Sequence, residues 1–223
     1  MRRLVAFDID DTLYLERDYV RSGFAAVGEW ARRELGVQDL GDRAWAAFEA
    51  GVRGRIFDEV LDACGVRDDV SVVPRLVDVY RSHAPAIELL DDVRTWLAAP
   101  PIGVTLAVVT DGPLASQRAK AAALGLAGWA HPIVFTEVLG PGRGKPHPAA
   151  FERVEAATGL AAAACAYVAD NPTKDFAGPR RRGWRTVRVR RTGSLHAGTG
   201  SGDDVDAEIA GFEALDDALD GWA

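Results

Sequence analysis

Lysine is scarce in this 223-residue chain: of 26 basic residues only Lys120, Lys145 and Lys174 are lysines, and the others are arginines. Basic charge is also outweighed, since 33 acidic residues leave a formal net charge of −7. The one basic run, Arg180, Arg181 and Arg182 with Arg185, Arg188, Arg190 and Arg191, is too short to reverse that balance, so nucleic acid is not an expected partner. Cysteine is limited to Cys64 and Cys165, which excludes a disulfide framework. Without ligand spacing they do not suggest a zinc site either, and both are expected to be buried thiols. His83, His131, His147 and His196 share no metal spacing. No apolar run approaches the roughly 18 residues that a membrane span needs. The N-terminus enters an apolar segment at once, leaving no room for a signal peptide, so a cytoplasmic location with no membrane association is expected. What remains is an ordinary globular composition, 48% hydrophobic and 26% charged, long enough for one α/β domain with or without a smaller insert.

Against these absences one stretch stands out, Leu4 to Tyr14. Leu4, Val5, Ala6 and Phe7 predict a buried strand, and its C-terminal end carries Asp8, Asp10, Asp11 and Thr12. In an open parallel sheet, ligands bind at the carboxyl ends of the strands, which puts Asp8 and Asp10 at the mouth of a site. A turn or helix cap accounts for Asp11 and Thr12 equally well. It does not account for a carboxylate directly abutting an apolar run, and like charges this close call for a cation.

Periodicity then becomes helical. Val20, Phe24, Val27 and Ala31 share one face, as do Phe57, Val60, Leu61 and Cys64, and Val73, Leu76, Val77 and Tyr80, with another helix around Ala44 to Phe48. Residues 14–83 are thus expected to be an all-helical insert, and residues 1–13 with 84–223 the α/β domain. In the latter, a helix carrying Leu89 to Leu97 leads to a strand at Val104 to Val109 that ends in Thr110, Asp111 and Gly112. A helix from Leu114 to Ala123 leads to a strand at Ile133 to Val138. A glycine-rich loop around Lys145 precedes a helix containing Phe151 and Val154. A strand at Ala166 to Ala169 ends in Asp170, a fifth strand spans Thr186 to Arg190, and a short sixth lies at Ala207 to Ala210. Gly193 to Gly202 reads as a mobile loop. Alternating strands and helices imply right-handed crossovers and a doubly wound parallel sheet.

Asp8-Ile9-Asp10-Asp11-Thr12 resembles the DxDxT motif of the haloacid dehalogenase-like phosphohydrolases. Thr110, Lys145, Asp170 and Asp175 follow in that family's order, and Gly144-Lys145-Pro146-His147-Pro148 and Asp170-Asn171-Pro172 resemble its capped phosphatase branch. Ala169 departs from the glycine that commonly precedes the metal-binding acid.

The resemblance implies a Rossmann-like core, a helical cap, and a phosphatase acting on a small-molecule phosphate monoester, a sugar phosphate or nucleoside monophosphate, as monomer or homodimer. It assigns Asp8 as the nucleophile that forms an aspartyl phosphate, Asp10 as general acid and base, Thr110 as a phosphoryl-oxygen ligand and Lys145 as the charge offsetting phosphate and Asp8. Mg²⁺ would be held by Asp8, the Asp10 backbone carbonyl, Asp170 and Asp175. Thr12, Asp111 and Gly112 are expected around the substrate, while Arg21, Arg53 and Arg55 of the insert offer forked cations for a second anionic group. Dehalogenases of the superfamily lack the second acid, because a halide needs no proton, and phosphonatases use a cap lysine that residues 14–83 do not contain. A phosphosugar mutase and a non-catalytic phosphometabolite-binding protein remain as alternatives.

Overall fold

A computed structural model describes residues 2–66 and 71–220, and the chain divides into two compact units, Arg17–Ile87 and Met1–Glu16 with Glu88–Ala223. Among the described residues no helix is long and apolar enough to cross a membrane.

The smaller unit is built from α1 (Glu16–Leu35), α2 (Leu40–Glu49), α3 (Ile56–Ala63) and α4 (Val72–Ser82), the first of which begins in the larger unit. Val20, Phe24, Val27 and Ala31 of α1 are buried against Leu40, Ala44 and Phe48 of α2, Val60 and Leu61 of α3, and Val72 and Leu76 of α4. Helices α1 and α2 cross closely at two glycines. A Cβ on Gly41 would lie 2.5 Å from the Phe24 carbonyl oxygen, where backbone would have to move, and one on Gly28 would lie 3.1 Å from the Gly41 Cα, a tight contact. Cys64 is only partly buried, because it closes α3 at the margin of this core.

The larger unit contains one six-stranded parallel sheet: β1 (Arg3–Phe7), β2 (Val104–Thr110), β3 (Ile133–Phe135), β4 (Cys165–Ala169), β5 (Arg185–Val189) and β6 (Ala207–Ile209), ordered β3-β2-β1-β4-β5-β6. Helices α5 (Asp91–Ala98), α6 (Leu114–Ala123), α7 (Ala149–Thr158), α8 (Ala177–Arg182) and α9 (Leu215–Leu219) complete it. The first strand is central, so both of its faces are covered and its four apolar residues are fully buried. Side chains alternate along it. Leu4 and Ala6 join a core with Val109, Phe151, Tyr167, Phe176 and Trp184, while Phe7 stacks on Phe212 and meets Trp96 edge-on.

One expectation fails locally. The third strand stops at Phe135 instead of Val138, because Thr136–Leu139 turn into a 3₁₀ segment in which the Thr136 hydroxyl is engaged by Asp111. The glycine- and serine-rich loop after Gly193 is tethered by Arg188, which is fully buried. Its guanidinium donates to the carbonyls of His196 and Thr199 and to the Ser201 hydroxyl, each at 2.8 Å.

Candidate active site

Adjacent β2, β1 and β4 place Thr110, Asp8 and Asp170 together at their carboxyl ends. Phe7 pairs with both Val108 and Val168, so Asp8 emerges level with the ends of its two neighbours, and its own N–H donates to the Val168 carbonyl at 2.9 Å. This is the edge at which the strand order reverses, where an open α/β sheet leaves a crevice.

Lys145 enters from the loop before α7. Its Nζ is 2.8 Å from Asp8 Oδ1 and 2.8 Å from Asp175 Oδ1, and it donates to the Tyr167 hydroxyl at 3.0 Å. Tyr167 in turn donates to the Val109 carbonyl at 3.0 Å. Burial opposes the ammonium, but Asp175 and Asp8 outweigh it and hold Lys145 well above the usual lysine range. The other oxygen of Asp175 accepts the Asn171 N–H at 2.9 Å, which fixes the turn after β4.

Asp8, Asp170 and Asp175 each offer a carboxylate oxygen, all within 4.8 Å of one another and all on buried residues. Burial pushes Asp8 up to about 6 against the pull of Lys145. Burial, then the charges of Asp8 and Asp175, push Asp170 up to about 9. Asp170 Oδ2 is buried without a hydrogen-bond partner. One ammonium against three buried carboxylates, with an orphaned oxygen among them, is a donor set suited to a hard divalent cation.

Asp10 has different surroundings. Lys120 Nζ lies 2.7 Å from its Oδ1, the Tyr14 hydroxyl donates to the same oxygen, and Gln117 Nε2 donates to Oδ2 at 3.1 Å. Burial alone would raise its pKa, but Lys120, with Tyr14 and Gln117, holds it below the ordinary carboxylate range. Burial and the neighbouring Asp10 raise Glu16, at the start of α1, to about 7. Thr110 donates to Gln117 Oε1 at 3.0 Å.

The other expected site residues separate into two groups. Asp11 takes a left-handed conformation at φ 53°, and its carboxylate accepts the N–H groups of Glu16 and Leu195, so it ties loops together. Thr12 is buried, with its hydroxyl unpartnered and its carbonyl accepting from Arg191. The Asp111 carboxylate is engaged by the Thr136 hydroxyl and the Lys145 N–H, which orients the loop that delivers Lys145. Gly112 has φ 130°, and a Cβ there would stand 2.8 Å from Gln117 Nε2. Arg21, Arg53 and Arg55 belong to the helical unit. Arg21 lies over the Trp45 ring and Arg53 over Phe48, where it also lines a cavity of about 300 Å³ with Phe24, Phe57 and Tyr80. Arg55 is exposed just ahead of α3.

Gln117, Lys120 and Tyr167 were not foreseen as members of this site. The scarcity of lysine was the available signal. Lys120 and Lys145 both contact its carboxylates, and Lys174 acts on Asp8 electrostatically.

Residues 2–182 match the haloacid dehalogenase-like hydrolase family. A glyceraldehyde 3-phosphate phosphatase of Methanopyrus kandleri is 29% identical over 202 residues, covering 86% of this chain and 85% of its own. A phosphoserine phosphatase of Thermus thermophilus is 33% identical over 164 residues, covering 73% and 62%. Among solved structures, a 2-haloacid dehalogenase from Pseudomonas syringae superposes with a TM-score of 0.66 at 25% identity, covering 100% of both chains.

Proposed function

Because this chain belongs to the haloacid dehalogenase-like hydrolase family, we propose that it is a Mg²⁺-dependent phosphatase that hydrolyses a small phosphate monoester through an aspartyl phosphate on Asp8. The observation that carries this reading is the pairing of two unlike carboxylates after β1. Asp8 faces Lys145 and the acidic cluster, whereas Asp10 is held by Lys120, Gln117 and Tyr14. Separate sets of partners keep the two carboxylates apart, so that one faces phosphorus and the other the leaving oxygen.

Asp8 attacks phosphorus while Lys145 offsets the charge that accumulates on it. Asp10 protonates the departing ester oxygen and then takes a proton from the hydrolytic water. That second acid favours an alkoxide-releasing reaction, since a halide would leave without it. Thr110 offers a hydroxyl to the phosphoryl oxygens. Asp8, Asp170, Asp175 and the Asp10 backbone carbonyl would hold Mg²⁺, which when bound neutralises phosphate charge and allows the dianion to approach. The helical unit would select the carbon skeleton, with Arg21, Arg53 and Arg55 as its candidate anion contacts. Sugar phosphates and nucleoside monophosphates are the proposed substrates.

The test is release of inorganic phosphate from a panel of such esters and from p-nitrophenyl phosphate. Excess chelator is expected to lower turnover at least about tenfold, with restoration by Mg²⁺. Full turnover in chelator would remove the metal from the mechanism, and inactivity on every ester would remove the phosphatase reading.

Protons report on the same cluster. A carboxyl whose folded pKa is raised contributes stability that is present below its ordinary pKa and is lost as pH rises toward the folded value. For Asp170 that window runs from 3.8 to about 9. Chelated protein therefore carries a proton there at pH 7 that a bound cation must displace. Mg²⁺ is expected to raise the melting temperature more at pH 8 than at pH 5, and calorimetry in buffers of different ionisation enthalpy is expected to show proton release. A stabilisation that shrinks as pH rises would contradict the assignment of Asp170.

A further inference from the structure

Helix α6 spends its buried face on polar groups. Gln117 and Lys120, one helical turn apart, are 3% and 4% exposed, while Ala121 is the one buried apolar residue of the helix. An amide and an ammonium removed from water are costly unless paired, so packing alone does not account for this face. Their partners lie in the two strand-end motifs described above. Lys120 and Tyr14 engage one oxygen of Asp10, Gln117 engages the other, and the far end of Gln117 accepts from Thr110. Both carboxylate oxygens thus have fixed partners, and the plane of the group is set from two separate elements. The missing side chain at Gly112 keeps the approach of Gln117 open.

We propose that Lys120 is a positioning residue for the acid–base carboxylate: together with Gln117 it fixes the orientation of Asp10 relative to Thr110, and so the line along which the proton reaches the leaving oxygen. The inference rests on the phosphatase reading above and adds a residue to it. Proton transfer depends steeply on placement, and a misplacement of about 1 Å can cost on the order of 10²-fold in rate. An ammonium suits this place because it presents a compact charge with three donors, whereas a guanidinium imposes a planar fork on whatever it meets.

The experiment compares single-turnover rates of phosphoryl transfer to the enzyme for the best alkyl phosphate of the panel and for p-nitrophenyl phosphate. Wild type, Lys120→Met, Lys120→Arg and Gln117→Leu are measured at saturating Mg²⁺. A displaced Asp10 penalises the alkoxide leaving group and largely spares p-nitrophenolate. In Lys120→Met the ratio of the two rates is expected to fall at least about tenfold with KM nearly unchanged, and Lys120→Arg is expected to recover part of it. If Lys120→Met leaves Asp10 buried without a counter-charge and does not fold, the same fall in the ratio is expected in Gln117→Leu. Equal slowing of both substrates, or an unchanged ratio in the folded variants, would reduce Lys120 to a structural ion pair and overturn the proposal. Wild-type inactivity on both esters would overturn the phosphatase reading and this inference with it; wild-type activity with an unchanged ratio overturns this inference alone.

Discussion

Replacing Asp8 by Asn is expected to abolish turnover of every ester, whatever group leaves, because an amide oxygen cannot form the aspartyl phosphate. The effect should separate from stability. Asp8 is the nucleophile candidate and also one of the carboxylates around Lys145, and its folded pKa is already raised to about 6, so the site tolerates a neutral group there. A near-isosteric amide removes one of the charges crowded at β1 and β4 while Asp175 continues to neutralise Lys145 at 2.8 Å. The melting temperature of chelated protein is therefore expected to stay close to wild type or rise, while phosphate release falls to background. Acid-quenched protein incubated with a labelled ester should carry label in wild type and none in the variant. Label retained in Asp8→Asn would place the nucleophile elsewhere.

Asp10→Asn is expected to give the second-largest loss, and an uneven one. The lost proton donation is commonly worth roughly 10² to 10⁴ in rate, and an alkoxide needs that proton far more than p-nitrophenolate does. Formation of the aspartyl phosphate should be severely slowed for a sugar or nucleoside monophosphate and mildly for p-nitrophenyl phosphate. Single-turnover kinetics are required, because the same variant also slows hydrolysis of the intermediate and hides the contrast at steady state. The surroundings add a structural expectation. Asparagine keeps an oxygen for Tyr14 and Lys120 but turns its other atom into a donor facing the Gln117 amide, which must then reverse its own ends and its bond to Thr110. Equal first-step losses for both substrates would mean that Asp10 does not donate the proton.

Much of the architecture was legible because central parallel strands announce themselves as apolar runs. Leu4 to Phe7 and Val104 to Val109 could hardly be read otherwise, and the carboxylate or threonine that follows each one falls at a strand end. The strand expected up to Val138 failed for a local reason, since the sequence does not disclose that Asp111, more than twenty residues earlier, captures the Thr136 hydroxyl. The same limit hid Gln117 and Lys120. On a helix rich in alanine they look like solvent-facing residues, and only the fold reveals that this face of α6 turns toward Asp10. Tyr167 was hidden by its own strand, where a large aromatic reads as core and its hydroxyl bridges Lys145 to the Val109 carbonyl. Asp111 shows a role that its position in the sequence does not disclose, since its oxygens accept from the Thr136 hydroxyl and the Lys145 N–H. Sequence reveals which groups are available, while pairing among them is settled by tertiary distances.

The surroundings of Lys145 restrict how it can act on a substrate. An ammonium has three N–H groups, and three oxygens, from Asp8, Asp175 and Tyr167, already stand within 3.0 Å of its nitrogen. The contact to Tyr167 is a hydrogen bond, whereas Asp175 Oδ1 lies beside the ammonium without a hydrogen-bond partner, so the nitrogen is held there by charge and not by a filled set of donors. On the phosphatase reading the cation would act on an arriving phosphoryl group as a fixed charge, and an N–H could turn toward that group while the bond to Tyr167 stays in place. Electrostatic help at Asp8 would in that sense be in place before any substrate arrives.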